Sequence, residues 1–165
     1  MLIQEVLLVF LFGSFFGWIL ETLISEIFYD KFRKRGFLQS IYLPAYGFGA
    51  IIVLLISYLD INLFYRGLLF LFSLTLLEFI SGIFFLNRHI RVWEYDWGYN
   101  YKEIVSVYSS LWWLVLALIF YYFIFPEFKT ITEILFRYGA IKLFVLLVYL
   151  TMIVDSITKF RKLFS

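Results

Sequence analysis

Long apolar runs constrain this chain more than any other feature of its sequence. About five of them approach or exceed the roughly 20 residues that a helix needs to cross a bilayer. Hydrophobic residues make up 64% of the chain, well above the roughly one half that is usual in soluble domains. The sequence therefore predicts an all-α, polytopic transmembrane helix bundle that forms one domain over residues 1–165. The predicted spans are Leu2–Tyr29, Gly36–Leu59, Gly67–Leu86, Ile104–Phe125 and Tyr138–Thr158.

Prolines mark two interruptions in these spans. Pro44 breaks the second span, because proline has no backbone N–H to donate. Two structures fit this pattern: irregular backbone over Gly36–Tyr46 that lines a cavity or is buried in protein, or an ordinary helix with the proline in its first turn. Pro126 is predicted to end the fourth span, ahead of a mixed-charge segment over Glu127–Arg137.

The distribution of basic residues predicts the orientation of the chain. By the positive-inside rule, the segments that are rich in Lys and Arg face the cytoplasm. Segments 30–35, 87–103 and 159–162 hold ten of the 14 basic residues, and these predict an N-terminus outside and a C-terminus in the cytoplasm. The ten are Lys31, Arg33, Lys34, Arg35, Arg88, Arg91, Lys102, Lys159, Arg161 and Lys162; the other four are Arg66, Lys129, Arg137 and Lys142.

The first span places chemically distinct residues at four-residue intervals. Gly13, Gly17, Glu21 and Ser25 stack along one helix face. The two glycines are predicted helix-packing residues, because they let another backbone come close. A carboxylate at this depth costs several kcal/mol unless it is paired, protonated or hydrated, so Glu21 and Ser25 are candidate site residues. The alternative is that Glu21 only bonds a neighbouring helix.

A second carboxylate, Glu78, lies at the matching depth of the third span. It precedes Asn87 by nine residues, as Glu21 precedes Asp30, so both lie about 13 Å from the cytoplasmic helix ends. Ser81 follows one turn later. Two carboxylates at one depth predict a shared proton or cation site, and the alternative is two unrelated buried groups. The spacing also suggests a parallel internal repeat, although residue identity between the halves is poor.

The loop from Arg88 to Asn100, RHIRVWEYDWGYN, groups basic, acidic and aromatic residues. One interpretation is interfacial, since arginines contact lipid phosphates and aromatic rings lie among the headgroups. The other is a pocket in which carboxylates hold a cation and aromatic faces flank it. Arg35 and Arg91 are the arginines best placed to reach the two glutamates. The candidate binding residues here are Arg35, Arg91, Trp93, Glu94, Tyr95, Asp96 and Asn100.

Several kinds of chemistry have no supporting residues in this sequence. The chain has no cysteine, which excludes disulfides, thiolate metal sites and a cysteine nucleophile. Its one histidine, His89, lies in a loop and belongs to no catalytic or metal-ligand pattern. No G-x-x-x-x-G-K-[ST] loop is present, so this chain does not hydrolyse ATP by that route. We predict no metal, no cofactor and no nucleic-acid partner.

Three stretches, in order, resemble a bacterial membrane family named putative ABC-transporter type IV. They are FGSFFGWILE, RGFLQSIYLPAYGFGA and LLEFISGIFFLNRHIRVWEYDW, and the resemblance covers about Phe12–Pro126. The chain departs from the family at Lys102 and Glu103, in a stretch where Gly-Arg is usual, and at Trp113, where glycine is usual. The matching positions are Gly13, Gly17, Trp18, Glu21, Arg35, Gly36, Phe37, Pro44, Tyr46, Gly47, Gly49, Glu78, Arg91, Trp93, Glu94, Tyr95 and Asn100.

The resemblance implies a transport-related, multi-pass protein of the bacterial inner membrane, and it adds Tyr46 to the candidate binding residues. Its partners would be the lipid bilayer and either a second copy of itself or a separate ATPase chain. The favoured function is a transport protein, or the membrane or substrate-capturing subunit of a transporter, with an intramembrane acidic site in the cytoplasmic half. The alternatives are a small intramembrane enzyme with a glutamate acid or base acting on a lipid-like substrate, and a non-catalytic membrane subunit.

Overall fold

The computed structural model describes residues 2–29, 41–95 and 98–164, and most of them are helical. The helices are α1 (Leu2–Tyr29), α2 (Pro44–Ser57), α3 (Leu63–Leu86), α4 (Val107–Ile119), α5 (Phe125–Arg137) and α6 (Gly139–Phe164), and a π-helical turn covers Phe120–Ile124. Strands β1 (Asn100–Tyr101) and β2 (Val105–Ser106) form a short antiparallel hairpin.

Among the residues that the structure describes, four helical stretches are long and apolar enough to cross a membrane: Leu2–Ile24, Leu63–Leu86, Val107–Arg137 and Gly139–Lys159. Helix α2 is apolar but has only 14 residues. At 1.5 Å per residue it measures about 21 Å, which is less than the roughly 30 Å hydrocarbon core. The prediction of an all-α, multi-pass membrane protein is confirmed, with one of the five predicted spans present as a short helix. The orientation in the membrane stays a prediction.

The non-helical backbone of the second span ends at Leu43, whereas one of the two interpretations extended it to Tyr46. Helix α2 begins at Pro44, while Ile41–Leu43 is not helical. Proline suits the first helical position, where its fixed φ is favourable and its missing N–H has no helical partner to lose. The prediction of irregular backbone is therefore wrong for residues 44–46. Residues 36–40 lie outside the described part of the chain.

The prediction that Pro126 ends the fourth span is wrong, because the helix continues through it to Arg137. A proline inside an α-helix clashes with the carbonyl four residues earlier and removes one hydrogen bond. Here the turn before it is π-helical, and the Phe125 N–H bonds to the carbonyl of Phe120, five residues back. This wider turn accommodates the proline. The segment over Glu127–Arg137 belongs to α5, which buries Phe128, Thr132 and Phe136 along one face.

The chain divides into two compact units, Met1–Gly47 with Phe128–Ser165, and Phe48–Glu127. In the first unit, the Tyr149 hydroxyl of α6 donates to the carbonyl of Leu7 in α1 at 2.9 Å, and its ring stacks on Phe10. In the second unit, α3 packs against α4 around a buried apolar cluster: Val53, Ile56, Phe70, Leu74 and Ala117. The single domain over residues 1–165 stays a prediction.

Arg66 closes the turn between α2 and α3 in the second unit. Arg66 lies in the first turns of α3 and is 4% exposed. Its guanidinium donates to the carbonyls of Ile56, Ser57, Leu59 and Ile61 at 2.6–3.1 Å. It also lies 4.4 Å from the ring centroid of Tyr121. These bonds reach the carbonyls of Ile56 and Ser57 in the last turn of α2, which a helix end leaves without i+4 partners, and those of Leu59 and Ile61 in the turn that follows.

Candidate functional site

In the first unit, the Glu21 carboxylate of α1 accepts a hydrogen bond from the start of α2. The Tyr46 hydroxyl donates to Glu21 Oε1 at 2.8 Å. The two elements approach so closely that a Cβ on Gly17 would lie 2.2 Å from Tyr46 Cγ. The Leu43 N–H also donates to the carbonyl of Ser14 at 3.0 Å. Gly17 therefore lies where α1 and the start of α2 are in close contact, one turn before the carboxylate that Tyr46 reaches.

In the second unit, Glu78 is buried in α3 and bonded at both of its carboxylate oxygens. Its side chain is 6% exposed. The Tyr95 hydroxyl donates to Oε1 at 2.5 Å, and the Ser109 hydroxyl lies 2.9 Å from Oε2. Hydrogen bonds to a carboxylate are stronger than those between neutral groups, and they offset part of the cost of burial.

The segment between α3 and α4 holds Tyr95 in place through backbone contacts. The Tyr95 N–H donates to the carbonyl of Glu103 at 2.9 Å, and Trp93 Nε1 donates to the carbonyl of Ile104 at 2.8 Å. Ile104 packs directly on α3, because a Cβ on Gly82 would lie 2.8 Å from the Ile104 Cβ. The hairpin is thus fixed to α3 one turn beyond Glu78.

Ser109 reaches Glu78 from the first turn of α4, where it belongs to a capping box. The Ser106 hydroxyl accepts from the Ser109 N–H at 2.9 Å, and the Ser109 hydroxyl accepts from the Ser106 N–H at 3.1 Å. Reciprocal bonds of this kind satisfy backbone donors that a helix start leaves unpaired. The cap therefore orients the same hydroxyl that contacts Glu78.

Arg91 forms a charged cluster at the exposed side of this segment. It makes ion pairs with Glu94 and Glu103. The hydrogen bond with Glu103, and then that with Glu94, raises the pKa of the Arg91 guanidinium above its ordinary value. A small cleft beside it is lined by apolar residues of α3, including Gly82, and by Arg91, Trp93 and Lys102. The described contacts of Arg91 are thus with loop carboxylates.

The other predicted site residues are Ser81, Asn100, Gly13, Arg35, Asp96 and Ser25. Ser81 and Asn100 serve the local backbone: Ser81 donates to the carbonyls of Leu77 and Glu78 in its own helix, and Asn100 bonds the carbonyl of Gly98 and the N–H of Glu103. Gly13 is partly exposed in α1. Arg35 and Asp96 lie outside the described residues, as does the side chain of Ser25.

The structure brings each glutamate together with a tyrosine of its own unit: Glu21 with Tyr46, and Glu78 with Tyr95. A single site shared by both carboxylates stays a prediction.

The sequence interpretation missed Ser109, although the Ser106-x-x-Ser109 spacing before an apolar run is a recognisable capping pattern. Chemically, a buried carboxylate with hydroxyl partners is suited to binding a positive charge.

Comparison with known proteins gives one informative result. A family model described as putative ABC-transporter type IV matches residues 8–160, which is nearly the whole chain. Searches against curated proteins and against solved structures returned no match. The family match agrees with the four long apolar helices and with a transport-related membrane protein. This chain belongs to the family named putative ABC-transporter type IV.

Proposed function

We propose that this protein is a membrane subunit of a transporter in the cell membrane, and that Glu78 binds the cation or cationic group that the transporter handles. One observation carries the proposal: Glu78 is 6% exposed in an apolar span, and both of its oxygens have hydroxyl partners. An ionisable side chain retained in a span at a cost of several kcal/mol is a functional group by default.

Oxygen-bearing groups surround the Glu78 carboxylate, with the Tyr95 hydroxyl at Oε1 and the Ser109 hydroxyl at Oε2. The oxygens of Tyr95 and Ser109 would serve as further ligands for a cation beside the carboxylate.

In this proposal, the ATP hydrolysis that drives transport is carried out by another chain. The sequence has no phosphate-binding loop of the G-x-x-x-x-G-K-[ST] type. A transporter of the kind that the family name describes would therefore use a separate ATPase subunit, with this chain as the membrane part. The Glu21–Tyr46 pair in the other unit would be a second acidic site of the same chemistry.

Thermal melting of the purified protein in detergent tests whether Glu78 binds a cation. The melting temperature is measured at matched ionic strength with Na⁺, K⁺, tetramethylammonium, lysine and spermidine in turn. At least one cation should raise it in the wild type, because a ligand at 100 times its Kd adds about 2.7 kcal/mol to the free energy of unfolding.

The variant Glu78→Gln should lose this response, since glutamine keeps the shape of the side chain but not its charge. The matched control is Glu127→Gln, which removes an exposed carboxylate from α5 and should keep the response. If none of the five cations raises the melting temperature, or if Glu78→Gln responds as strongly as the wild type, the proposed function is wrong.

A further inference from the structure

In the first unit, a short non-helical stretch of backbone, Ile41–Leu43, contacts the middle of α1. The Leu43 N–H donates to the carbonyl of Ser14 at 3.0 Å. Ser14 lies twelve residues after the start of α1 at Leu2 and fifteen before its end at Tyr29, which is about 18 Å and about 22 Å along the helix axis. Irregular backbone therefore lies near the centre of an apolar, membrane-spanning helix.

Only two environments suit irregular backbone at this depth. A polar backbone group without a partner costs several kcal/mol in lipid, so such backbone is either buried in protein or in contact with a water-filled cavity. Leu43 has the first environment, because it is 8% exposed and its N–H is bonded to Ser14. Its carbonyl accepts from the N–H groups of Tyr46 at 3.0 Å and Gly47 at 3.4 Å.

The two residues before Leu43 are not buried in this way. Ile41 is 45% exposed, and Tyr42 is partly exposed. Both lie outside any helix, so helical hydrogen bonding does not satisfy their N–H and carbonyl groups. Lipid against this backbone would leave those polar groups without partners. Water is the environment that fits both the exposure and the backbone conformation.

The polar side chains beside this stretch favour the same environment. The Tyr46 hydroxyl and the Glu21 carboxylate are 2.8 Å apart, and both side chains are partly exposed. Glu21 follows Ser14 by seven residues, which is two helical turns and places both on one face of α1. A partly exposed carboxylate in an apolar helix costs less beside water than beside lipid.

From these contacts we propose that Ile41 and Tyr42 line a water-filled cavity, which enters the membrane from the end of α1 that carries Glu21 and reaches the level of Ser14. The cavity would admit water and small polar solutes to the Glu21–Tyr46 pair. This proposal goes beyond the proposed function and concerns the first unit alone. It does not depend on whether Glu78 binds a cation, so the two can fail independently.

Thiol modification tests the proposal, because the chain has no cysteine of its own and a single one can be introduced anywhere. Ile41→Cys and Tyr42→Cys are each reconstituted into membrane sheets of phosphatidylethanolamine and phosphatidylglycerol whose two faces are both open to the buffer. The rate of reaction with a charged methanethiosulfonate that does not enter lipid is then measured. The reagent attacks the thiolate, and apolar surroundings raise the pKa of a thiol.

Two further single-cysteine variants calibrate the rate. Phe16→Cys is the matched control, because Phe16 is 56% exposed on α1 and lies two residues from Ser14, at nearly the same depth as Ile41. Tyr99→Cys is the reference for full access to water, since Tyr99 is 86% exposed in the segment between α3 and α4. Ile41→Cys should react at least about tenfold faster than Phe16→Cys, because one unit of thiol pKa changes the thiolate fraction about tenfold.

Fast reaction at either Ile41→Cys or Tyr42→Cys, with slow reaction at Phe16→Cys, supports the cavity, so one folded variant of the two is enough. If both react as slowly as Phe16→Cys, lipid or another chain covers the stretch and the proposal is overturned. If Phe16→Cys reacts as fast as Tyr99→Cys, this part of α1 is not in the hydrocarbon region, and the proposal is overturned as well.

Discussion

The close contact between Gly17 and Tyr46 in the first unit gives a sharp test of the structure. In Gly17→Ala the new Cβ would lie 2.2 Å from Tyr46 Cγ and 2.4 Å from Tyr46 Cβ, whereas ordinary contact begins near 3.4 Å. These atoms form the root of the tyrosine side chain, so a change of rotamer does not move both of them away. The start of α2 must therefore withdraw from α1 by about 1 Å.

The expected cost has three parts. Overpacking a close contact costs about 1–3 kcal/mol. Withdrawal also stretches the 2.8 Å bond from Tyr46 to Glu21 to about 3.8 Å, beyond hydrogen-bonding distance, with a loss of about 1.5–3 kcal/mol for a charged acceptor. Alanine recovers about 1 kcal/mol through its higher helix propensity. The net effect is a fall of about 1.5–5 kcal/mol in the free energy of unfolding.

Unfolding by SDS in mixed micelles, followed by tryptophan fluorescence, measures this difference. Gly67→Ala in α3 is the matched control, because a Cβ on Gly67 would meet no atom within 4 Å. It should be neutral or up to about 1 kcal/mol more stable than the wild type. Tyr46→Phe removes only the hydroxyl, and it separates the hydrogen bond from the steric effect. If Gly17→Ala is as stable as Gly67→Ala, the close packing of α1 on the start of α2 is wrong.

Three other predictions concern the α2–α3 turn, the hairpin and the orientation. Arg66→Lys should lower the free energy of unfolding by about 2–4 kcal/mol in the same SDS assay, because one ammonium group cannot bond four carbonyls. A fall of less than about 0.5 kcal/mol would contradict the role given to the guanidinium. Lys102→Gly should stabilise the hairpin by about 0.5–1 kcal/mol, because Lys102 has a φ of 51°, which favours glycine. Amide hydrogen exchange at Tyr95 should then be slower than in the wild type, and faster exchange would refute the prediction. A tag after Arg137 should be labelled from outside and one after Ser165 only from the cytoplasm. Labelling of both from one face would mean that the predicted number of spans is wrong, and the reversed pattern would refute the predicted orientation.

The apolar runs alone determined most of the helical architecture. The first predicted span, Leu2–Tyr29, coincides with α1, and the third ends with α3 at Leu86. Each of the two glutamates consequently lies eight residues before the last residue of its helix. This agreement has a simple cause: in a bilayer every backbone group must be satisfied within the helix, so the length and position of a span follow from the local sequence.

Only the tertiary structure decided which groups meet. Glu21 bonds a tyrosine 25 residues later, and Glu78 bonds a serine 31 residues later, and neither pairing follows from periodicity along one helix. The burial of Arg66 depends on a turn that exposes four carbonyls to it, and the passage of the helix through Pro126 depends on a π-helical turn. Such contacts depend on how turns and helix faces are brought together in three dimensions, whereas the hydrophobic pattern records only the depth of each residue.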